Sequence, residues 1–127
     1  MKIGLCTGCF DKFHDGHRYF LEQAAKHCDY LVVAVNDDIS VCELKGKDRP
    51  NDPWDLRMLN VANCVLALDA SPAVSIIPFS GHGWDLVKAL LPDVIIRGWD
   101  QTPGENFLSI PIVRIAKGPN VSTSSLA

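Results

Sequence analysis

The 127-residue sequence contains no apolar run of 18 residues, the length at which a segment becomes a candidate transmembrane helix. Its first residues, MKIGLC, lack the pattern of a secretory signal peptide and are typical of a short strand. No excess of positive charge is present either, since the net charge is -3, which argues against nucleic-acid binding through bulk charge. We therefore expect a cytoplasmic protein that binds neither membranes nor nucleic acids.

Two common nucleotide-binding fingerprints are also missing. Neither GxxxxGK[ST] nor GxGxxG occurs, which argues against a P-loop enzyme and against a dinucleotide-binding oxidoreductase. The five cysteines are odd in number and scattered, unlike the framework of a small disulfide-stabilised secreted domain. With 47% hydrophobic residues and no repeat, the chain has the composition and length of one globular domain.

Short β-branched apolar runs alternate with segments of helical periodicity. Strands are predicted at residues 2–6, 30–35, 74–79, 93–98 and 110–116, and helices between the first two strands, at 52–68, at 83–91 and from residue 121. This alternation predicts a single-domain, Rossmann-like α/β fold, an open parallel five-stranded sheet with helices on both faces. Ligands bind such sheets at the carboxyl ends of the strands, where the winding reverses. We therefore expect the segments after the strands to meet at one rim.

Residues 6–17, CTGCFDKFHDGH, permit more than one interpretation. Cys6, Cys9, His14 and His17 are four potential zinc ligands, but only four residues separate the two pairs, fewer than zinc fingers use to close a tetrahedron. The two cysteines also have the spacing of a redox pair. Redox pairs lie at a helix N-terminus, however, whereas this helix is predicted to start near Gly16.

The same stretch also fits a strand, a glycine-containing loop and a helix start that together bind phosphate. Gly8 would let the backbone turn sharply, and Gly16 would let it approach a ligand closely. A helix N-terminus offers unpaired N–H groups and a positive dipole end. His14 and His17 lie one helical turn apart and can donate hydrogen bonds to phosphate oxygens, although they can also be ordinary surface histidines.

The stretch GCFDKFHDGH resembles the signature of the HxGH nucleotidyltransferases, particularly the glycerol-3-phosphate cytidylyltransferase type. Five further stretches are similar, in order, to the adenylyltransferase domain of bacterial heptose-phosphate synthases: DYLVVAVNDD, ELKGKDRP, DLRM, LPDVIIRGWD and VSTS. The resemblance spans residues 3 to 125. It implies one nucleotidyltransferase domain over residues 1–127, with a C-terminal helix shorter than that of the family.

The resemblance also implies roles for individual residues. His14 and His17 would bind the triphosphate and stabilise charge on the α-phosphate. Lys45 would reach the α-phosphate, Arg57 would serve the phosphates or the second substrate, and Asp11 would face the acceptor. The nucleotide contacts that it further implies are Gly8, Cys9, Phe10, Gly16, Gly98, Asp100, Ser122, Thr123 and Ser124.

Simpler roles remain open for several of these residues. Lys45 would be a solvated charge in a polar loop, Arg57 would pair with a nearby acid such as Asp55, and Asp100 would cap a turn. Cys6 is expected in the core.

The reaction that the resemblance implies is transfer of a nucleoside monophosphate from a nucleoside triphosphate to a sugar or polyol phosphate, with release of pyrophosphate. Mg²⁺, held mainly by the nucleotide phosphates, would assist. ATP with a heptose 1-phosphate and CTP with glycerol 3-phosphate both remain open. A nucleotide-binding protein without catalysis is a third possibility, and a homodimer is expected.

Overall fold

The computed structural model describes residues 1–68, 73–81, 83–98 and 109–116. Its strands are β1 (Ile3–Gly8), β2 (Tyr30–Asn36), β3 (Ala73–Phe79), β4 (Val94–Gly98) and β5 (Ile112–Ile115). Its helices are α1 (Asp15–Ala25), α2 (Asp38–Lys45), α3 (Trp54–Leu66) and α4 (Gly83–Leu90). None of the helices in these ranges combines the length and the apolar character needed to span a bilayer.

The strands form one parallel sheet in the order β3-β2-β1-β4-β5. The chain proceeds outward from β1 through β2 to β3, then returns to the other side of β1 for β4 and β5. The winding therefore reverses between β1 and β4, and the carboxyl ends of these two strands flank the switch point. This arrangement confirms the predicted open parallel five-stranded sheet.

The two faces of the sheet are covered by different helices. On one face, Leu21 of α1 and Val61 of α3 pack against Cys6, Val33 and Ile96 of the strands. On the other face, α4 packs through Val87 against strand side chains that alternate with the first set. Helices therefore lie on both faces, as predicted, and the nearly continuous apolar strands β1, β2 and β4 are buried between them.

One helix of the structure was not predicted. α2 follows β2 after a single residue and replaces the polar loop that we expected around Lys45. It shows no clear amphipathic stripe, because Val41 is fully buried while Ile39 is 72% exposed. The expected helix from residue 121 lies outside the described residues.

Candidate active site

The first turn of α1 is capped by the two histidines of the HxGH stretch. His14 is the N-cap residue, and its Nδ1 accepts a hydrogen bond from the Gly16 backbone N–H at 2.9 Å. His17, three residues later, returns the contact, since its Nδ1 accepts from the His14 backbone N–H at 3.1 Å. The pair thus forms a capping box in which imidazoles replace the usual hydroxyl and carboxylate.

This capping box determines how the imidazoles can act. A neutral imidazole whose Nδ1 accepts a hydrogen bond carries its proton on Nε2, so Nε2 is a donor. The two ring centroids of His14 and His17 are 4.1 Å apart. The two rings are therefore held close together at the positive end of the α1 dipole, where anions are stabilised.

Aromatic packing holds the His17 ring in place. The Phe13 ring stacks on it with a centroid distance of 5.1 Å and an interplanar angle of 20°. Phe10 contacts it at 5.7 Å in a tilted geometry. Arg18 lies over the outer side of Phe13, with its guanidinium carbon 5.7 Å from the ring centroid. Rotation of the imidazole would break these contacts, so the orientation of the His17 ring is fixed before any ligand binds.

The loop between β1 and α1 has an unusual backbone. Phe10 and Lys12 both have positive φ, at 52° and 48°, a conformation that costs free energy in residues other than glycine. Phe10 is only 5% exposed, and its ring lies against the last residue of β1. A Cβ atom on Gly8 would approach that ring to 3.0 Å. The sharp turn expected at Gly8 lies instead at Phe10 and Lys12, and the lack of a Cβ at Gly8 leaves room for the Phe10 ring.

Asp11 ties this loop to the segment that precedes α3. Its carboxylate accepts backbone hydrogen bonds from Asn51 at 2.7 Å and Asp52 at 2.8 Å, and Arg49 lies 3.7 Å away. Burial raises the pKa of Asp11, but the hydrogen bonds from Asn51, Asp52 and Lys12 outweigh it and leave the pKa below its usual value. Both carboxylate oxygens are engaged with the protein, so a contact of Asp11 with the acceptor stays a prediction.

Arg57 is fully buried and joins three segments at the rim. Its Nε donates to the Asp52 carbonyl at 3.1 Å, one terminal nitrogen donates to the Cys9 carbonyl at 2.8 Å, and the other forms a 2.6 Å ion pair with Asp38. The partner is not Asp55, because residues two apart on a helix do not face each other. A contact with phosphates stays a prediction, since all three nitrogens already donate to protein oxygens.

Cys9 lies where several charges of the site meet. Burial raises the pKa of its thiol, while the positive charges of Lys45, Arg57 and Arg49 lower it and Asp11 raises it. Lys45, the exposed last residue of α2, and Arg57 are thus both close enough to Cys9 for their charges to act on it. Lys45 therefore lies on a helix end beside the site and not in a polar loop.

The zinc interpretation fails on the position of Cys6. This cysteine is fully buried in the core on the α1 face, where burial and then neighbouring Cys28 raise the pKa of its thiol. Its prediction as a core residue is confirmed. Within the four described ranges, no group of three or more His, Cys, Asp or Glu side chains is arranged to hold a metal ion.

The remaining predicted contacts divide into two groups. Gly16 lies in the first turn of α1, and Gly98 ends β4 beside the switch point, where its carbonyl accepts from Arg114 at 3.3 Å. Both therefore lie at the expected rim. Asp100, Ser122, Thr123 and Ser124 lie outside the described residues.

Sequence reasoning missed the residues that hold Arg57 and Asp11. Asp38 begins α2, which was not predicted, and Asn51 and Asp52 precede α3, whose predicted start at residue 52 came two residues too early. A signal for α2 was present: Asp37 accepts from the Ser40 backbone N–H at 2.8 Å as an N-cap, and Gly46 follows the last residue. Such start and stop residues mark a helix even where no amphipathic stripe exists.

Comparison with known proteins gives consistent matches. Residues 5–114 match the family described as cytidylyltransferase-like. The chain is 37% identical over 118 residues to the bifunctional protein HldE of Gluconacetobacter diazotrophicus, covering 93% of this chain and 23% of that protein. It is 44% identical over 101 residues to the HldE protein of Acidiphilium cryptum, covering 80% of this chain and 20% of that protein. It thus spans less than a quarter of the length of these curated relatives.

A solved structure is similar over nearly its whole length. The crystal structure of the lipopolysaccharide core biosynthesis protein from Thermoplasma volcanium GSS1 superposes with a TM-score of 0.71 and 27% sequence identity. The match covers 94% of this chain and 99% of that one. The solved structure therefore has the same fold over nearly all of both chains.

Proposed function

This chain belongs to the cytidylyltransferase-like family of nucleotidyltransferases, as its resemblance predicted, and on that premise we propose that it transfers a nucleoside monophosphate to a phosphorylated sugar. In this reaction an oxygen of the acceptor phosphate attacks the α-phosphorus of a nucleoside triphosphate. A new P–O–P linkage forms, the bond between the α-phosphorus and the bridging oxygen breaks, and pyrophosphate leaves. The acceptor phosphate is already ionised near neutral pH, so no enzyme nucleophile is needed.

We propose ATP and a heptose 1-phosphate as the substrates. The relatives named bifunctional protein HldE cover most of this chain, and the sequence stretches ELKGKDRP and LPDVIIRGWD resemble the adenylyltransferase domain of heptose-phosphate synthases. The structural neighbour, a lipopolysaccharide core biosynthesis protein, supports the same class of product.

The observation that carries the proposal is the imidazole capping box of α1. The two rings, each with an Nε2–H donor, lie together at the start of α1, where we propose that the triphosphate binds. These donors are held before the substrate arrives, so they can stabilise the charge that develops on the α-phosphate without reorganisation. Lys45 lies beside the same loop and would add a mobile positive charge.

Arg57 and Asp11 act in this proposal as positioning residues. Through the Cys9 carbonyl, the Arg57 guanidinium fixes the residue that follows β1. Asp11 fixes the other side of the same loop through Asn51 and Asp52. The two contacts together hold the strained backbone at Phe10 and Lys12, and with it the start of α1.

The described side chains at the site offer few ligands for Mg²⁺, so the ion would arrive with the nucleotide. The donors at the site are mostly N–H groups and cations, which do not ligate Mg²⁺, and the carboxylate of Asp11 is occupied by backbone N–H groups. The ion would be held mainly by the phosphates and would neutralise charge on the leaving pyrophosphate. The homodimer and the cytoplasmic location expected from the sequence stay predictions.

The test is a pyrophosphate-release assay with the four nucleoside triphosphates against a panel of sugar and polyol phosphates. We expect turnover with ATP and a heptose 1-phosphate. Turnover only with CTP and glycerol 3-phosphate would replace the substrates and keep the reaction class. Nucleotide binding without turnover on every acceptor would contradict the enzymatic function and indicate a binding protein.

A further inference from the structure

A second set of polar side chains lies at the same rim, on the α4 face of the sheet. Val32 and Ala34 of β2 and Ile95 of β4 pack toward α4. Because side chains alternate between the two faces along a strand, Asn36 and Arg97 point to the α4 face as well. Both lie at the carboxyl ends of their strands, on either side of the end of β1.

Thr7 of β1 lies between these two residues, beneath the start of α4. A Cβ atom on Gly83, the first residue of α4, would lie 3.3 Å from the Thr7 hydroxyl oxygen. Neighbouring strands are about 4.8 Å apart, and the registers place Asn36 two residues beyond the level of Thr7 and Arg97, so Asn36 and Arg97 are separated by roughly 12 Å. This spacing is comparable to the length of a sugar phosphate.

Both outer residues carry buried polar atoms that have no hydrogen-bond partner within the described part of the chain. Asn36 is 5% exposed, and its Oδ1 has no such partner. The Nε of Arg97 is buried and also has no such partner. Buried polar atoms are almost always paired in proteins, so each of these atoms calls for an explanation. A ligand that offers a hydrogen-bond donor to Asn36 and an acceptor to Arg97 would supply one.

The charge around Arg97 points to an anion. Arg97 pairs in register with Arg114 of β5, so two positive side chains lie next to each other on one face. Burial, followed by the charge of Arg114, lowers the pKa of Arg97. Across the described ranges no carboxylate forms an ion pair with Arg97. Like charges on adjacent strands are destabilising, and a bound anion between α4 and the sheet would neutralise them.

The in-line geometry of the reaction indicates which anion would bind beside Arg97. In-line displacement places the attacking oxygen and the leaving pyrophosphate on opposite sides of the α-phosphorus. If the nucleotide phosphates lie at the start of α1, on one face, the acceptor approaches from the α4 side of the switch point. We propose that Arg97 binds the phosphate of the acceptor and that the amide of Asn36 binds a hydroxyl of its sugar or polyol part. For the identity of the ligand, this inference rests on the proposed function.

The test measures acceptor binding directly, separately from turnover. Heptose 1-phosphate and glycerol 3-phosphate are titrated by calorimetry into the protein saturated with a non-hydrolysable α,β-methylene nucleotide. For whichever acceptor binds, Arg97→Met is expected to weaken binding on the order of 10- to 100-fold, since a charged hydrogen bond is lost. Arg97→Lys should recover part of the loss, and Asn36→Leu should cost roughly fivefold. Affinity for the nucleotide should stay within about twofold in all three variants.

Lys88→Met is the matched control, because it removes one positive charge from an exposed position near the other end of α4. A second measurement follows the Arg97 Nε–H signal by nuclear magnetic resonance in the unaltered protein, so the result does not depend on a variant that folds. The signal should shift with the sugar phosphate and not with the unphosphorylated sugar.

The outcomes separate this inference from the proposed function. Arg97-dependent acceptor binding without pyrophosphate release would refute the proposed reaction and keep the site. Turnover with acceptor affinity that is equal in the parent protein and in Arg97→Met, or an unmoved Arg97 signal, would overturn the site and keep the reaction. Failure of both acceptors to bind would overturn the site.

Discussion

Two strand–helix junctions lie side by side at the rim of this sheet, and they have opposite chemistry. After β1, α1 is capped by the imidazoles of His14 and His17, which accept through Nδ1 and carry a proton on Nε2. After β2, α2 is capped by the carboxylate of Asp37, which accepts from the Ser40 backbone N–H and from the Ser80 hydroxyl. Both caps satisfy helix N–H groups, but only the first consists of side chains that also carry N–H groups.

The comparison shows that the chemistry of the cap decides what a helix N-terminus can bind. A carboxylate cap neutralises the positive end of the dipole and repels a second anion. Hydrogen bonds from Ser80, then from Ser40, hold the pKa of Asp37 below its usual value, which keeps this cap charged. An imidazole cap leaves the dipole available and adds donors. We therefore expect the first junction to bind phosphate and the second to stabilise the fold.

The largest effect is expected from removing a donor at the first junction. His17→Ala should lower turnover on the order of a hundredfold or more, because an N–H that stabilises the reacting phosphate is lost. Circular dichroism should show an unchanged fold. Steady-state kinetics with saturating nucleotide measure the effect, and unchanged turnover would refute the role of His17.

The second prediction concerns stability and the buried guanidinium of Arg57, which connects the two junctions. Arg57→Met should lower the free energy of unfolding by about 3 kcal/mol, because the carbonyls of Cys9 and Asp52 lose their donors and Asp38 loses its partner. Asp38→Asn should cost clearly less, since the Asp38 side chain is 48% exposed and its amide oxygen still accepts.

Urea unfolding of both variants measures this difference. Equal losses in the two variants would mean that the ion pair, and not the pair of carbonyl contacts, carries the stabilisation by Arg57.

Altering each cap separately tests whether the two junctions have different roles. Asp37→Ala should destabilise the protein by about 1 kcal/mol, the usual cost of losing an N-cap, with little effect on turnover. His14→Asn keeps a side chain that can cap α1 and removes the ring donor, so it should lower turnover while stability changes little. For each variant, thermal unfolding gives the change in stability and steady-state kinetics give the change in turnover. A loss of stability at residue 14 with unchanged turnover would contradict the distinction between the junctions.

The smallest effect concerns acid stability. Because the folded-state pKa of Asp11 is lowered, its ionised form stabilises the fold above the unfolded value of about 3.9, and this contribution is lost as the pH falls through the folded value. Asp11→Asn should therefore flatten the loss of stability below about pH 4. Asp48→Asn, at an exposed position, is the control, and urea titrations from pH 6 to pH 3 give the profile. The same acid dependence in Asp11→Asn as in the parent protein would contradict the assigned hydrogen bonds.

The sheet and the first junction could be predicted from the sequence because their signals are local. The β-branched runs that became β1, β2 and β4 are buried on both faces, and their apolar pattern is nearly continuous. The spacing of His14 and His17 likewise reports directly on one helical turn. Periodicity and short motifs therefore sufficed for these elements.

The second junction and the Arg57 contacts could not be predicted because they depend on contacts between distant segments. α2 buries few apolar side chains, and its stability comes from its Asp37 cap and from the ion pair of Asp38 with Arg57 across 19 residues. The need for glycine at position 8 depends on a positive φ at Phe10 that places the ring against it. Neither contact leaves a periodic signal in the sequence.

The central claim, that two Nδ1-capped imidazoles present Nε2–H donors to a triphosphate, is tested most directly by ¹⁵N nuclear magnetic resonance of the histidine rings. We predict that His14 and His17 carry the proton on Nε2 in the free protein, and that both Nε2–H signals shift when a non-hydrolysable nucleotide is added. The exposed His27, beyond the other end of α1, should not respond. Protonation on Nδ1, or ring signals of His14 and His17 that the bound nucleotide leaves unchanged, would contradict the account.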